Sequence, residues 1–129
     1  MADNAATAKA LYDAFAKGDV PAVLGSMDPK IDWREPVSLP FDDQVGPDGV
    51  AQGTFAKIFE LFDEFSVNPT EIFDAGDAVF ATGVYRGKSK SGRELEADFL
   101  HHWGFGPDGK ITYFRTHTDT KLWLDALAS

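Results

Sequence analysis

An α+β fold with helices first, an antiparallel sheet second and one short helix last follows from three observations. Apolar residues recur at helical spacing in the first half of the chain, four strand-like runs separated by turn residues come after it, and a capped apolar segment closes the sequence.

The first helix is read from Asn4 to about Lys17, where Ala10, Leu11, Ala14 and Phe15 share a face and Gly18 supplies the left-handed residue that ends a helix. Asp19 caps a second, short helix: Pro21 fits its first turn, Val20, Val23 and Leu24 form its apolar face, and Asp28-Pro29 ends it. Ile31–Glu35 alternates as a short strand broken by Pro36, and a loop through Ser38, Leu39 and Pro40 to Gly49 is placed to border a pocket. Pro47 and Asp48 suit the first turn of a third helix, in which Val50, Phe55, Ile58, Phe59 and Phe62 make a wide stripe that has to pack on a sheet.

The strand-like runs are Phe65–Phe73, Ala78–Arg86, Glu94–Phe105 and Lys110–Thr118, and three consecutive hairpins make them a meander. The last turn, Gly106-Pro107-Asp108-Gly109, is the best marked, because proline fixes one φ and glycine permits φ > 0. In the third run Leu95, Ala97 and Phe99 alternate with Glu94, Glu96 and Asp98, but from Leu100 to Phe105 both faces turn apolar or aromatic. The outer face of the sheet needs cover there, so a homodimer through the sheet is expected. Asp119 then caps a closing helix carrying Leu122, Trp123, Leu124 and Leu127.

With 129 residues and no internal repeat, the chain is read as one domain, 1–129, able to bury about two thirds of its unfolded surface without a disulfide or structural metal. Eleven phenylalanines against two methionines point to a thick core, with some rings left to wall a pocket. A formal charge of −9 repels phosphate backbones and anionic lipid heads, which argues against nucleic-acid and membrane partners. The N-terminal stretch shows neither a basic nor an apolar leader segment, so a cytoplasmic location is expected. Lacking cysteine, the chain has no thiolate nucleophile and no Cys-based zinc site.

All three histidines fall in the last two strands. His101 and His102 are adjacent, so they point to opposite faces and cannot share a metal; no metal and no cofactor is expected. By the pattern of Phe99 and Trp103, His101 faces inward and His102 outward. Arg115 and His117 share one face, which depends on whether a bulge follows Phe105: inward, Arg115 would bind a carboxylate or enolate; outward, both are surface or interface residues. Trp33 shares the face of Glu35 by the two-residue period.

The segments Leu11–Asp19 and Trp103–Ile111, with Phe114-Arg115 and Asp119-Thr120, resemble the NTF2-like superfamily, and within it SnoaL-like proteins and ketosteroid isomerases. The resemblance implies a cone, in which a curved antiparallel sheet wraps three N-terminal helices and leaves a deep apolar cavity. It implies Glu35, which precedes Pro36-Val37, as a carboxylate base whose pKa desolvation raises. It also puts His101 in the place where the isomerases hold a protonated aspartate, as a donor or proton carrier. The isomerases' tyrosine donor falls near Leu11, so Tyr12 would point about 100° away on a helix. The last-strand aspartate of SnoaL-like cyclases falls at Arg115 or Thr116, where no carboxylate stands, and Phe99 and His101 stand where epoxide-hydrolase relatives carry Arg-x-Asp.

Substrate contacts are expected from Tyr12, Phe15, Trp33, Phe59, Phe62, Phe99, Trp103 and Arg115. The implied function is cofactor-independent isomerisation, cyclisation or dehydration of an apolar small molecule, Glu35 removing a proton and His101 meeting the developing oxyanion. The alternative is a non-catalytic ligand-binding or accessory module of the same fold.

Overall fold

The computed structural model describes residues 3–129; residues 1 and 2 of the N-terminal stretch read above for a leader lie outside the described residues. Helix α1 (Asn4–Ala16) starts at Asp3, whose side chain accepts the Ala6 N–H, and ends just before Gly18 at φ 73°. Asp19 does the same for α2 (Val20–Gly25) by accepting from Ala22. Contrary to the expected stop at Asp28-Pro29, the chain enters strand β1 (Met27–Arg34) at once. The proline is tolerated because the pairing of β1 with β6 (Ile111–Thr118) shifts register between Met27 and Asp32, the stretch that holds it.

The two-residue strand β2 (Gln44–Val45) pairs with β1 at the sheet edge. The helical arm that follows is not one regular helix: α3 (Pro47–Gly49) runs into a π-helical turn, Val50–Phe55, and then into α4 (Ala56–Leu61). Phe62, expected on the helical stripe, has extended backbone (φ −122°, ψ 137°) and opens β3 (Phe62–Asp74). Strands β4 (Ala78–Ser89) and β5 (Glu94–Phe105) complete a six-stranded sheet of order β2-β1-β6-β5-β4-β3, antiparallel except between β1 and β6. Helix α5 (Thr120–Leu127) is capped by the Asp119 carboxylate, which accepts from Lys121 and Leu122.

The sheet curves where β3 is bulged. Its register with β4 shifts between Phe62 and Glu64 and again between Pro69 and Glu71, and glycines 87 and 83 of β4 stand against these places. A bulge bends its strand, and a glycine lets the neighbouring backbone close in. A Cβ on Gly83 would run into the Asn68 carbonyl and come within 2.5 Å of the Phe99 ring.

On the concave side are two buried clusters. One, built around Leu11, Tyr12, Ile31, Trp33, Trp103 and Phe114, lies against α1 and α2; the other, around Leu39, Ile58, Phe62, Tyr85 and Phe99, is capped by Trp123 of α5. On the convex side, Phe80 stacks on His102 at 4.7 Å, Tyr113 meets the same ring edge-on at 5.1 Å, and Phe73 and Leu100 are exposed. Among the described residues, no helix is long and apolar enough to cross a membrane.

Candidate functional site

A cavity of about 60 Å³ lies between the concave face and the helices, and its lining draws on both clusters. Such a volume admits about four or five water-sized groups. Tyr12 and Phe15 reach it from α1, Trp33 and Glu35 from the end of β1, Thr54 and Phe55 from the π-helical turn; Tyr85, His101, Trp103, Phe114 and Thr116 reach it from the sheet, with Leu39 and Trp123 beside them.

Its sheet wall carries a chain of hydrogen bonds centred on His101. Tyr12 Oη lies 2.6 Å from Nδ1, Tyr85 Oη 2.6 Å from Nε2, and Tyr85 Oη 2.8 Å from Thr116 Oγ1, while the Trp103 indole N–H donates to Tyr12 Oη at 2.9 Å. Burial holds the imidazole well below its ordinary pKa of 6.5, so it is neutral, with one nitrogen donating and the other accepting. Burial also raises both tyrosines, with the Trp103 bond opposing at Tyr12, and they stay protonated.

Two proton arrangements satisfy this chain. With hydrogen on Nδ1, Tyr12 oxygen accepts from both His101 and Trp103 and its own O–H is free to enter the cavity, while Tyr85 donates to Nε2 and accepts from Thr116. With hydrogen on Nε2, Tyr12 donates to the ring and the free hydrogen emerges at Thr116 instead. Phe99, stacked on the imidazole at 3.9 Å, and Phe114, edge-on at 4.9 Å, hold the ring in place.

Glu35 follows the last residue of β1, and its Oε2 accepts the Trp33 indole N–H at 2.6 Å. Its backbone N–H donates to Asp43 Oδ1 at 2.8 Å. The residue is partly exposed, but its side chain lines the cavity, and burial pushes the carboxyl up from 4.5 to about 7. The indole bond pulls the other way and the Asp43 charge adds a little. After burial, the Glu35 charge is the largest influence raising Tyr85, which puts the two groups within electrostatic reach.

The two shifts have opposite consequences for stability. Between about pH 4.5 and 7 the folded chain keeps a proton on Glu35 that the unfolded chain has released, so rising pH costs stability there, at most about 3 kcal/mol. Below about pH 6.5 the unfolded chain protonates His101 and the folded chain does not, so falling pH costs stability. Glu35→Gln removes only the first slope: in urea unfolding its stability relative to wild type should climb from pH 4.5 to 7. Parallel curves would show that the carboxyl is not desolvated.

Of the residues singled out from sequence, the structure gathers Glu35, His101, Tyr12, Phe15, Trp33 and Trp103 around the cavity. Tyr12 is not turned away, because the cavity faces a wide arc of α1 and Leu11, Tyr12 and Phe15 all line it. The other four are placed elsewhere. Phe59 is half exposed and stacks on the far side of Phe15 at 6.4 Å, since the π-helical turn rotates the face of α4. Phe62 packs beneath Trp123, and Phe99 lies behind His101 as support. Arg115 is exposed on the convex face opposite His102, because the register shift after Gly104 skips Thr112. Both His101 nitrogens are occupied, so the imidazole reaches a ligand only through a hydroxyl.

Tyr85, Thr54 and Thr116 are site residues the sequence reading did not single out. Tyr85 had a signal in the inward series Val79, Ala81, Gly83, Tyr85, whose small members leave room for large rings opposite; Thr54 had none, since a π-helical turn has no sequence mark here. Among the described residues, no three His, Cys, Asp or Glu side chains are grouped to hold a metal.

A family model described as a SnoaL-like domain matches residues 8–114. Among solved structures, an NTF2-like protein of Burkholderia thailandensis superposes with a TM-score of 0.95 at 27% identity, covering 100% of both chains. TerC, crystallised with polyporic acid, gives 0.90 at 24% identity over 99% of this chain and 100% of its own. IdmH of Streptomyces antibioticus gives 0.79 at 22% over 98% and 99%, and these last two likenesses show the fold alone. No curated protein matches the sequence.

Proposed function

Because the chain belongs to the SnoaL-like family of the NTF2-like superfamily, we propose that its cavity binds an apolar small molecule bearing an enolisable carbonyl and moves a proton on it using groups of the chain alone. One observation carries the reading: a carboxyl that burial pushes up to about 7 and a tyrosine hydroxyl within hydrogen-bond reach of both the His101 ring and the Trp103 N–H line the same apolar cavity.

Glu35, as carboxylate, takes the proton from the carbon beside the carbonyl; the C–H electron pair becomes the enolate, and the growing charge on oxygen receives the Tyr12 O–H. In the arrangement with hydrogen on Nδ1, His101 Nδ1–H and Trp103 Nε1–H both donate into the Tyr12 oxygen, which aims that O–H and makes it a stronger donor. His101 and Trp103 are thus positioning residues, and Tyr85, donating to Nε2 and accepting from Thr116, completes the arrangement with hydrogen on Nδ1. Glu35 then returns its proton at another carbon, which is an isomerisation; or the enolate carbon attacks a second carbonyl of the same molecule, whose oxygen takes up the C=O electron pair and the Glu35 proton; or the enolate expels a leaving group from the next carbon, which departs with that proton.

A desolvated carboxyl on the wall of an apolar cavity supports this reading over a purely binding module. The aromatic patch on the convex face supports pairing of two copies there, and TerC's ligand supports the small-molecule reading in kind.

The reading is tested by NMR of deuterium uptake into a panel of small cyclic ketones in D2O. Uptake above the buffer rate should rise with pH to a plateau, with a midpoint near the Glu35 value of about 7. Uptake at the buffer rate for every ketone and at every pH would overturn it.

A further inference from the structure

Glu35 leaves β1 with a backbone donor that has no partner in the sheet. The ladder of β1 with β6 ends at Arg34↔Arg115, its ladder with β2 ends at Trp33↔Gln44, and Pro36, which follows, has no N–H. Asp43 serves the donor instead: its Oδ1 accepts the Glu35 N–H at 2.8 Å. Register explains the choice of residue. Continuing the antiparallel pairs Asp32↔Val45 and Trp33↔Gln44 by one step sets Asp43 opposite Arg34, next to the donor.

This bond closes a loop at its base. Between Glu35 and Asp43 the Leu39 N–H donates to the Pro36 carbonyl at 3.1 Å, Leu39 is buried in the cavity wall, and Phe41 is buried edge-on to Trp123 at 5.8 Å. The second Asp43 oxygen, Oδ2, lies 3.9 Å from the Arg34 guanidinium, which Asp32 holds at 2.9 and 3.2 Å. These ion pairs are half-exposed and add little stability by themselves.

Among the described residues the Glu35 side chain has one hydrogen bond, from the Trp33 indole N–H to Oε2. That bond fixes an oxygen at the tip and not the backbone from which the side chain springs, and proton transfer is sensitive to displacements of about 1 Å. We propose that Asp43 is a positioning residue for the base: by holding the Glu35 N–H and closing the loop, it fixes the point from which the Glu35 carboxylate reaches the cavity. The catalytic part rests on the proposed function, in which Glu35 removes the proton, while the positional part stands on the hydrogen bonds. Asp43 is also the charge that faces Glu35. The cavity side presents Tyr12 of α1, Tyr85 of β4 and His101 of β5, all uncharged near neutrality, and Arg34 is taken up by Asp32 and Asp43. Burial is the larger cause that raises Glu35, and the Asp43 charge acts in the same direction.

Asp43→Asn keeps an oxygen that can accept the Glu35 N–H and removes the charge, whereas Asp43→Ala removes both and cuts back a half-exposed side chain. Two readouts are followed against pH: deuterium uptake into the cyclic ketones, and the NMR resonance of the Trp33 indole N–H, which senses Glu35 ionisation and whose solvent exchange reports how firmly the carboxylate is held. In wild type the resonance should titrate with a midpoint near 7. In Asp43→Ala the midpoint should fall toward 4.5 as the carboxyl leaves its buried place, indole exchange should quicken, and the uptake plateau should drop at least about tenfold, the scale of one hydrogen bond. Asp43→Asn should return exchange and plateau to within about threefold of wild type, with a midpoint only slightly below 7. Asp43→Val serves if the alanine variant does not fold. An alanine variant that matches wild type in midpoint, exchange and plateau, or an asparagine variant as impaired as the alanine one, would overturn the assignment. Absence of uptake by wild type would remove the base and the catalytic part with it, and indole exchange in the two variants would still decide whether Asp43 holds Glu35 in place.

Discussion

Glu35→Gln is expected to lower enzyme-dependent proton transfer by about 10²–10⁴-fold, the range a positioned general base supplies, while ligand binding survives. Glutamine keeps the side-chain length, and its amide oxygen can still accept the Trp33 indole N–H, so the wall of the cavity is preserved. What disappears is the only cavity-lining group, among the described residues, that both ionises near neutrality and faces the hydroxyl chain. The wild-type rate should rise with pH to a plateau with its midpoint near 7, and the residual rate of the variant should lose that dependence. Glu35→Asp, which retracts the carboxylate by one methylene, should keep the pH dependence and still lose rate, about 10²-fold for a misplacement near 1 Å. A glutamine variant within threefold of wild type would place the base elsewhere and end the assignment.

The parts of the fold that were legible are those with local causes. Asp3, Asp19 and Asp119 accept the N–H groups of three helix starts, and Asp19 and Asp119 can be read as caps from residue type and position alone. The meander follows from turn residues, and β5 runs over the bounds its alternation indicates. The parallel pairing of β1 with β6 has no such cause: it joins strands some 80 residues apart with no turn between them, and Asp28-Pro29 at its start looks like an end.

The site divides the same way. Glu35 shares a face with Trp33 by strand period, and His101 with Phe99 and Trp103, so their inward direction could be read off. Arg115 could not be placed, because one skipped residue at Thr112 decides its face. Tyr85 was hidden for a different reason. Its direct partner on β5 is Ala97, and it meets His101, four positions further along, only because the sheet is bent.

That bend makes Gly83→Ala the second substitution of large effect. The new methyl would strike the Asn68 carbonyl and come within 2.5 Å of the Phe99 ring and 2.8 Å of Pro69 Cα. Two of these three atoms are backbone, so rotamer changes cannot relieve the clash, and overpacking of this kind costs about 1–3 kcal/mol and occasionally more. A domain of this size should then melt roughly 5–15 °C lower. The third atom carries the damage into the site: Phe99 is stacked on His101 at 3.9 Å, so pushing its ring shifts the imidazole that both tyrosines share. Gly76→Ala is the control, since Gly76 has φ 83° but open space around its would-be Cβ. It should lower stability by about 1 kcal/mol through backbone strain alone and leave proton transfer per folded molecule unchanged. Gly83→Ala should lower both. If its activity per folded molecule matched that of the Gly76 variant, the hydroxyl chain would not depend on the curvature of the sheet, and the link from bulged strand to oriented tyrosine would be broken.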